Sequence, residues 1–495
     1  MLDPARIAAL AETDIQPANH LIDGTSCAAS DGGRRDVISP IDGRAITTLA
    51  WGTEDDTTRA ISAARRAFDD GRWSGLAPAA RKAILLKWAQ LIEDNALELA
   101  VLGVRENGTE ISMALKAESF SAAGTIRYYA EAIDKIYGQI APTGPDVLGL
   151  VHHDPVGVVG AIVPWNFPLM IGAWKLGPAL AAGNTVVLKP AETASLSLLR
   201  LAELGLEAGL PAGVLNVVTG AGHVVGRAIG LSRDVDVLTF TGSGNVGRKL
   251  MEYSAQSNLK RIYLELGGKS PNVIFADAPD LDEAIKVSAA GIFRNSGQVC
   301  IAGSRLLVER SVHDRVVDGL VKAAEALRVG NPLDPGTGAG AVNSAAQLDR
   351  NLGFVEEARA QGRDIRTGGG RILEETGGFY MAPTVVAGVS PQDRIARQEV
   401  FGPVLAVIPF DTEEEAVAIA NDSEFGLASA VWTSNLSRAH RMVRAIKAGL
   451  VHVNTYGGSD LTVPLGGVKQ SGNGHDKSLH AFEKFLNLKS AWIKL

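Results

Sequence analysis

Two cysteines, Cys27 and Cys300, are all that the 495 residues contain. A disulfide framework is excluded, and a reducing compartment, the cytoplasm, is expected. Charge of one sign is lacking too: 48 Lys+Arg stand against 55 Asp+Glu, a net charge of -7, and no basic run stands out. Nothing in that balance attracts a phosphate polymer or an anionic membrane, so no nucleic-acid partner is expected. Long apolar runs are missing as well. The longest uncharged stretch, Pro155 to Trp174, carries Pro164, Asn166 and Pro168 in its middle and reads as buried core rather than a membrane span. The opening residues show no basic segment followed by an apolar one, so no signal peptide is expected. HExxH, GxSxG and the GxxxxGK phosphate loop do not occur, and the nine histidines form no ligand cluster with cysteine. Metal hydrolase, serine esterase and NTPase chemistry drop out, and no metal is expected.

What is present suits an ordinary folded protein of two or three domains: 46% hydrophobic and 21% charged residues, with 55 glycines suggesting many tight turns. The first hundred or so residues read mainly as helix, with apolar positions at helical spacing over 60–68 and 81–98. From Val156 short β-branched runs (VGVVGAIV, TVVLKP, LNVVTG, VDVLTFTG, RIYLELGG) alternate with helical segments. A second series follows from Asn272 (NVIFA, SRLLVER, VLAVIPF, SAVWT, LVHVN). Such alternation predicts an α/β fold of two three-layer lobes, each a parallel sheet covered by helices. The C-terminal FEKFLNLKSAWIKL alternates in apolar character and would leave an edge strand in want of a partner, which hints at an oligomer.

Four segments carry candidate chemistry, and each has a plain structural reading beside the functional one. Cys300, in NSGQVCIAG, is either an inert buried thiol or a nucleophile presented from a glycine-flanked turn. Glu265, in YLELGGKSP, is a strand-end carboxylate facing solvent or a desolvated general base. Asn166, in PWNFP, closes a turn after a buried strand or offers a fixed amide N–H to an oxyanion. Gly242-Ser243-Gly244-Asn245-Val246-Gly247 matches GxGxxG after a strand and before a helix, the setting for a dinucleotide phosphate. The usual fingerprint would hand Glu265 to the cofactor ribose; Lys189 and Glu192, at the end of TVVLKPAE, are the alternative pair, although Glu192 also suits a helix N-terminus.

Taken together, PWNFP, LKPAE, FTGS, LELGGK, GQVC, EVFGPV and PLGGVKQSGNG, in that order over nearly the whole chain, resemble the aldehyde dehydrogenase superfamily. The resemblance implies an NAD-binding domain over 1–136 and 154–266, a catalytic domain over 267–478, and an oligomerisation arm from 137–153 and 479–495 that makes a homodimer or homotetramer. It implies Cys300 as nucleophile, Asn166 and the Cys300 backbone N–H as oxyanion donors, and Glu265 as base for hydrolysing a thioester. By the same resemblance Trp165, Lys189, Glu192, Gly242, Ser243, Gly247, Leu266, Glu399 and Phe401 bind the cofactor. NAD is expected over NADP because Glu192 would repel a 2′-phosphate. Ser471-Gly-Asn-Gly-His-Asp476, where many members read SGxGRE, with the following KSLHAFEK and the earlier AEAIDKIYG, resembles the branch acting on ω-amino, γ-glutamylamino and guanidino aldehydes from polyamine breakdown. Ser459 and Asp460, with Glu110 nearby and Trp174 on the wall, would then receive a polar or cationic tail. A broad-range aldehyde dehydrogenase, a coenzyme-A-acylating enzyme and a non-catalytic binding protein are the alternatives.

Overall fold

The computed structural model describes residues 2–495. One sheet holds five parallel strands in the spatial order Arg261–Glu265, Val237–Thr241, Val158–Ile162, Thr185–Lys189, Leu215–Val217. Val158–Ile162 and Thr185–Lys189 are buried at every position, as strands covered on both faces must be, and this is why they read as unbroken apolar runs. Chain order reverses at Val158–Ile162: the next two strands lie on one side of it and the following two on the other. Loops that leave the carboxyl ends of Val158–Ile162 and Val237–Thr241 therefore diverge and open a crevice. PWNFP leaves the first of these strands and Gly242-Ser243 the second.

The second sheet runs Thr384–Ala387, Val404–Phe410, Arg305–Glu309, Pro271–Ile274, Ala428–Trp432, Leu450–Val453, all parallel, with Asp364–Thr367 antiparallel at one edge. The expected two α/β lobes are thus present. Antiparallel strands Gln139–Ala141, Val147–Pro155 and Leu486–Lys494 form a third, small sheet, with Leu488, Trp492 and Tyr137 exposed around it. Residues 479–485 do not join this sheet; Ala481, Phe482 and Phe485 are buried, and Phe482 meets the Tyr129 ring edge-on.

Two expectations need correction. The first fifty residues are not mainly helical: His20–Ile22 and Thr25–Cys27 form a hairpin that extends the first sheet, and Arg34–Ile38 pairs with Ala45–Ala50. Strands of three residues are too short to show a period. Nor is 81–98 one helix. Pro78–Asp94 ends at Asn95, whose φ of -105° and ψ of 16° leave helical geometry and whose side chain bonds back to the Leu91 carbonyl; Ala96–Asn107 then starts afresh.

Candidate active site

Cys300 stands where two cavities meet. One, of about 620 Å3, is bounded by Trp165, Asn166, the Thr241–Asn245 turn, Glu399 and Phe401. The other, of about 380 Å3, is bounded by Phe167, Met170, Trp174, Ser459 and Leu461. Cys300 and Ile171 alone belong to both walls. The thiol is half-buried, and burial, reinforced by the Glu399 and Glu265 carboxylates, pushes it up to about 12. It therefore keeps its proton at neutral pH until a base receives it.

The loop that presents Cys300 is backbone under constraint. Asn295, Ser296 and Gly297 follow one another with φ of 49°, 50° and 73°. Left-handed conformation at two non-glycine residues costs energy that only a rigid surround maintains. That surround is visible: Thr109 Oγ1 donates to Asn295 Oδ1 (2.8 Å), the Asn295 backbone N–H donates to Glu110 (3.1 Å), and Ser296 Oγ donates to the Gly340 carbonyl (2.7 Å). A Cβ on Gly297 would meet the Gly402 oxygen at 2.0 Å, so no other residue fits there.

Asn166 is buried, and its Nδ2 donates to the Gln298 carbonyl at 2.9 Å, two residues before Cys300 in the same loop. An amide has two N–H groups, and the second is left for a ligand in the cavity that Asn166 and Cys300 line together. Glu265, at the end of its strand, is 7% exposed and its Oε1 has no hydrogen-bond partner. Burial first, and the negative charge of Asp476 second, hold its carboxyl well above the usual range. The carboxylate is therefore buried and unpaired at Oε1, although Glu265 lines neither cavity.

Three residues beside Glu265 escaped the sequence reading. Lys175 and Lys484 donate to opposite oxygens of Asp476, each at 2.5 Å, and all three side chains are 4% exposed or less. Although burial pushes Asp476 up, the two ammonium groups prevail and hold it below its ordinary value. A single Lys in the otherwise apolar helix Pro168–Ala181 was the available signal, because a charge on such a face needs a buried partner. Asn295 and Gln298, which fix the nucleophile loop, were missed too, for want of any pattern that marks a hydrogen bond across the fold.

The other assigned residues divide. Trp165 meets the Phe401 ring edge-on (5.2 Å), and both line the larger cavity with Leu266 and with Glu399, whose Oε1 accepts from the Gly268 N–H (3.0 Å). Burial raises the Glu399 carboxyl to about 7. Gly242 and Ser243 lie on the same wall, and the helix Gly244–Gln256 starts at Ser243 without a side-chain cap. Its first N–H groups are thus open to an anion. Gly247 has a different job: a Cβ there would meet Leu266 at 3.0 Å, so it lets the helix pack on the strand and is not a cavity residue. Lys189 is buried with Nζ 3.5 Å from Glu192, which itself accepts from the Gly222 N–H (2.6 Å).

Around the smaller cavity, Trp174 and Ser459 line the wall as expected. Asp460 does not. Its Oδ1 turns back to accept from the Thr462 N–H (2.8 Å) and hydroxyl (2.6 Å), and the residue faces solvent. Glu110 is buried against the nucleophile loop and is equally absent from the wall.

Comparison with known proteins agrees with this geometry. The aldehyde dehydrogenase family model matches residues 27–491. NADP/NAD-dependent aldehyde dehydrogenase PuuC of Escherichia coli is 49% identical over 474 residues, covering 96% of this chain and 95% of that one. A γ-glutamyl-γ-aminobutyraldehyde dehydrogenase from Burkholderia cenocepacia is 52% identical with a TM-score of 0.98, and an indole-3-acetaldehyde dehydrogenase solved with NAD+ is 51% identical with a TM-score of 0.98; in each case both chains are covered completely. The chain belongs to the aldehyde dehydrogenase family and is an oxidoreductase acting on aldehydes.

Proposed function

We propose that the chain oxidises a nitrogen-bearing aldehyde to the carboxylic acid with NAD, through a thioester on Cys300 that is hydrolysed with Glu265 as base. The observation that carries this reading is the position of Cys300 at the junction of the two cavities, so that one sulfur faces both a cofactor space and a substrate space. The uncapped helix at Ser243 and the apolar walls of Trp165, Leu266 and Phe401 fit a dinucleotide, and a relative 51% identical was solved with NAD+. NAD, when bound, supplies the hydride acceptor. Lys189 and Glu192 would hold its adenosine ribose; Glu192, tied to Gly222, would place a negative charge against a 2′-phosphate. Glu399 would hold the nicotinamide ribose.

Cys300 Sγ bonds to the aldehyde carbon as its proton passes to a base, and the resulting oxyanion accepts from the free Asn166 N–H and the Cys300 backbone N–H. Loss of hydride leaves the thioester. Glu265, desolvated and without a competing partner, takes a proton from water, the hydroxide adds to the thioester, and the thiolate leaves. That base favours hydrolysis over transfer to coenzyme A. The first lobe (1–136 and 154–266) is then the NAD-binding domain and the second (267–478) the catalytic domain. The small sheet, with Leu488 and Trp492 exposed, supports an oligomerisation arm built from 137–153 and the C-terminal strand Leu486–Lys494, with Ala481, Phe482 and Phe485 of 479–485 belonging to the core instead. A nitrogen-bearing substrate is supported by the 52% identical γ-glutamyl-γ-aminobutyraldehyde dehydrogenase. Two unpaired cysteines are consistent with a cytoplasmic location, and no described helix is long and apolar enough to cross a membrane.

The test is stopped-flow NADH formation by Glu265→Gln. A burst close to one NADH per site followed by a stall is expected, with steady turnover down about 10²- to 10⁴-fold. Normal turnover would remove Glu265 from the base role.

A further inference from the structure

The smaller cavity has mostly apolar walls and two charged residues, Arg294 and Lys477. Both are cations, and no Asp or Glu lines it. Arg294 has Glu110 as a charge neighbour, but its guanidinium has no hydrogen-bond partner among the described residues. Glu110 spends its Oε1 on the Asn295 N–H, and its Oε2 is buried without a hydrogen-bond partner, so Arg294 feels the charge of Glu110 without a bond to it. Lys477 is 5% exposed and is aimed rather than floppy: it sits at φ 66°, its Nζ donates to the Ser459 carbonyl (2.8 Å) and hydroxyl (2.7 Å), and it stands 6.0 Å from the centre of the Trp174 ring. An ammonium has three N–H donors, so one remains.

We propose that Arg294 and Lys477 receive a carboxylate at the tail of the aldehyde substrate. The inference rests on the reaction assigned above and narrows its substrate class. Two partly desolvated cations beside apolar walls keep donors that no group of the protein takes up, and a charge-assisted hydrogen bond to an anion would engage them. Burial already pulls Lys477 down to about 8, against the attraction of Asp460 and Asp476 outside the wall. A tail ending in ammonium would meet two like charges and no carboxylate. A simple ω-amino tail lacks the carboxylate that this pair would receive.

Steady-state NADH formation by the full-length protein is compared for 5-oxopentanoate, pentanal and 4-aminobutanal, which have similar length and differ in terminal charge. The carboxylate aldehyde is expected to lead the ammonium aldehyde in kcat/KM by about tenfold or more. Lys477→Met and Arg294→Met should each shrink the preference for 5-oxopentanoate over pentanal by about tenfold, through KM rather than kcat, and Lys477→Arg should restore most of it. Equal or better use of 4-aminobutanal by the unaltered protein, or a loss shared equally by all three aldehydes in the variants, would overturn the assignment while leaving the reaction intact. Absence of NADH with every aldehyde would instead strike the underlying reaction. Binding of glutarate, followed by tryptophan fluorescence, decides the carboxylate site without turnover: saturable binding that both Met variants lose is expected, and no binding to the unaltered protein refutes the site.

Discussion

The Asn295 side chain donates to the main-chain oxygen of Asn166 at 3.1 Å, tying the loop that carries the nucleophile to the loop that carries the oxyanion donor. The two residues lie 129 positions apart, and together with the Asn166 bond to Gln298 they set the distance between Cys300 and its amide partner.

Replacing Asn295 tests that tie. Asn295→Ala removes the acceptor of Thr109 and the donor to Asn166 while leaving a Cβ residue at φ 49°. A stability loss of about 2–4 kcal/mol is expected, with kcat/KM down about 100-fold, from buried groups left unpaired. Asn295→Gly, which accepts positive φ without penalty, should melt at a higher temperature than Asn295→Ala yet recover little activity. Equal melting of the two would show that backbone strain is not part of the cost.

Asp476 offers a second test. Its neutralisation in Asp476→Asn leaves Lys175 and Lys484 buried with only Glu265 as a negative neighbour, and about 3–5 kcal/mol should be lost. The pH dependence has a definite sign. Because the folded state depresses Asp476 below 3.8, its contribution is complete above that value and disappears as pH falls through the folded value. Denaturant titrations from about pH 2 to 4 should therefore show a weaker acid dependence in Asp476→Asn. Glu265 acts oppositely: its raised folded value adds stability below 4.5 that is lost as pH rises through the folded value, so Glu265→Gln should hold its stability better at alkaline pH.

Cofactor choice is tested at Glu192. Glu192→Ser removes the carboxylate at the strand end, and the ratio of kcat/KM with NADP to that with NAD should rise by about tenfold or more. An unchanged ratio would mean that the 2′ position lies away from Glu192.

Legibility of the sequence followed distance along the chain. The βα alternation after Val156, the GxGxxG turn and the glycine-flanked Cys300 were readable because each depends on neighbours within a few residues. The hairpin of His20–Ile22 and Thr25–Cys27 was not, since three-residue strands are fixed by the sheet they join. The last glycine of GxGxxG, Gly247, leaves room for the packing of Leu266, a contact that the local pattern does not show. Asp460 was assigned to the substrate because a carboxylate occurs in that loop, but its side chain closes on Thr462, and Lys477, eighteen positions after Ser459, reaches the wall.

By itself, the sequence determined the two α/β lobes, the turns that carry Cys300, Asn166 and Glu265, and the family, because backbone conformation and buried-strand patterns are local properties. Tertiary structure alone decided which charges meet. Lys175 finds Asp476 across 301 positions, and Arg294 and Lys477 come to line one cavity that contains no acid. Such pairings are set by desolvation and geometry in the assembled core, where a buried charge keeps only the partners that the packed chain brings within reach.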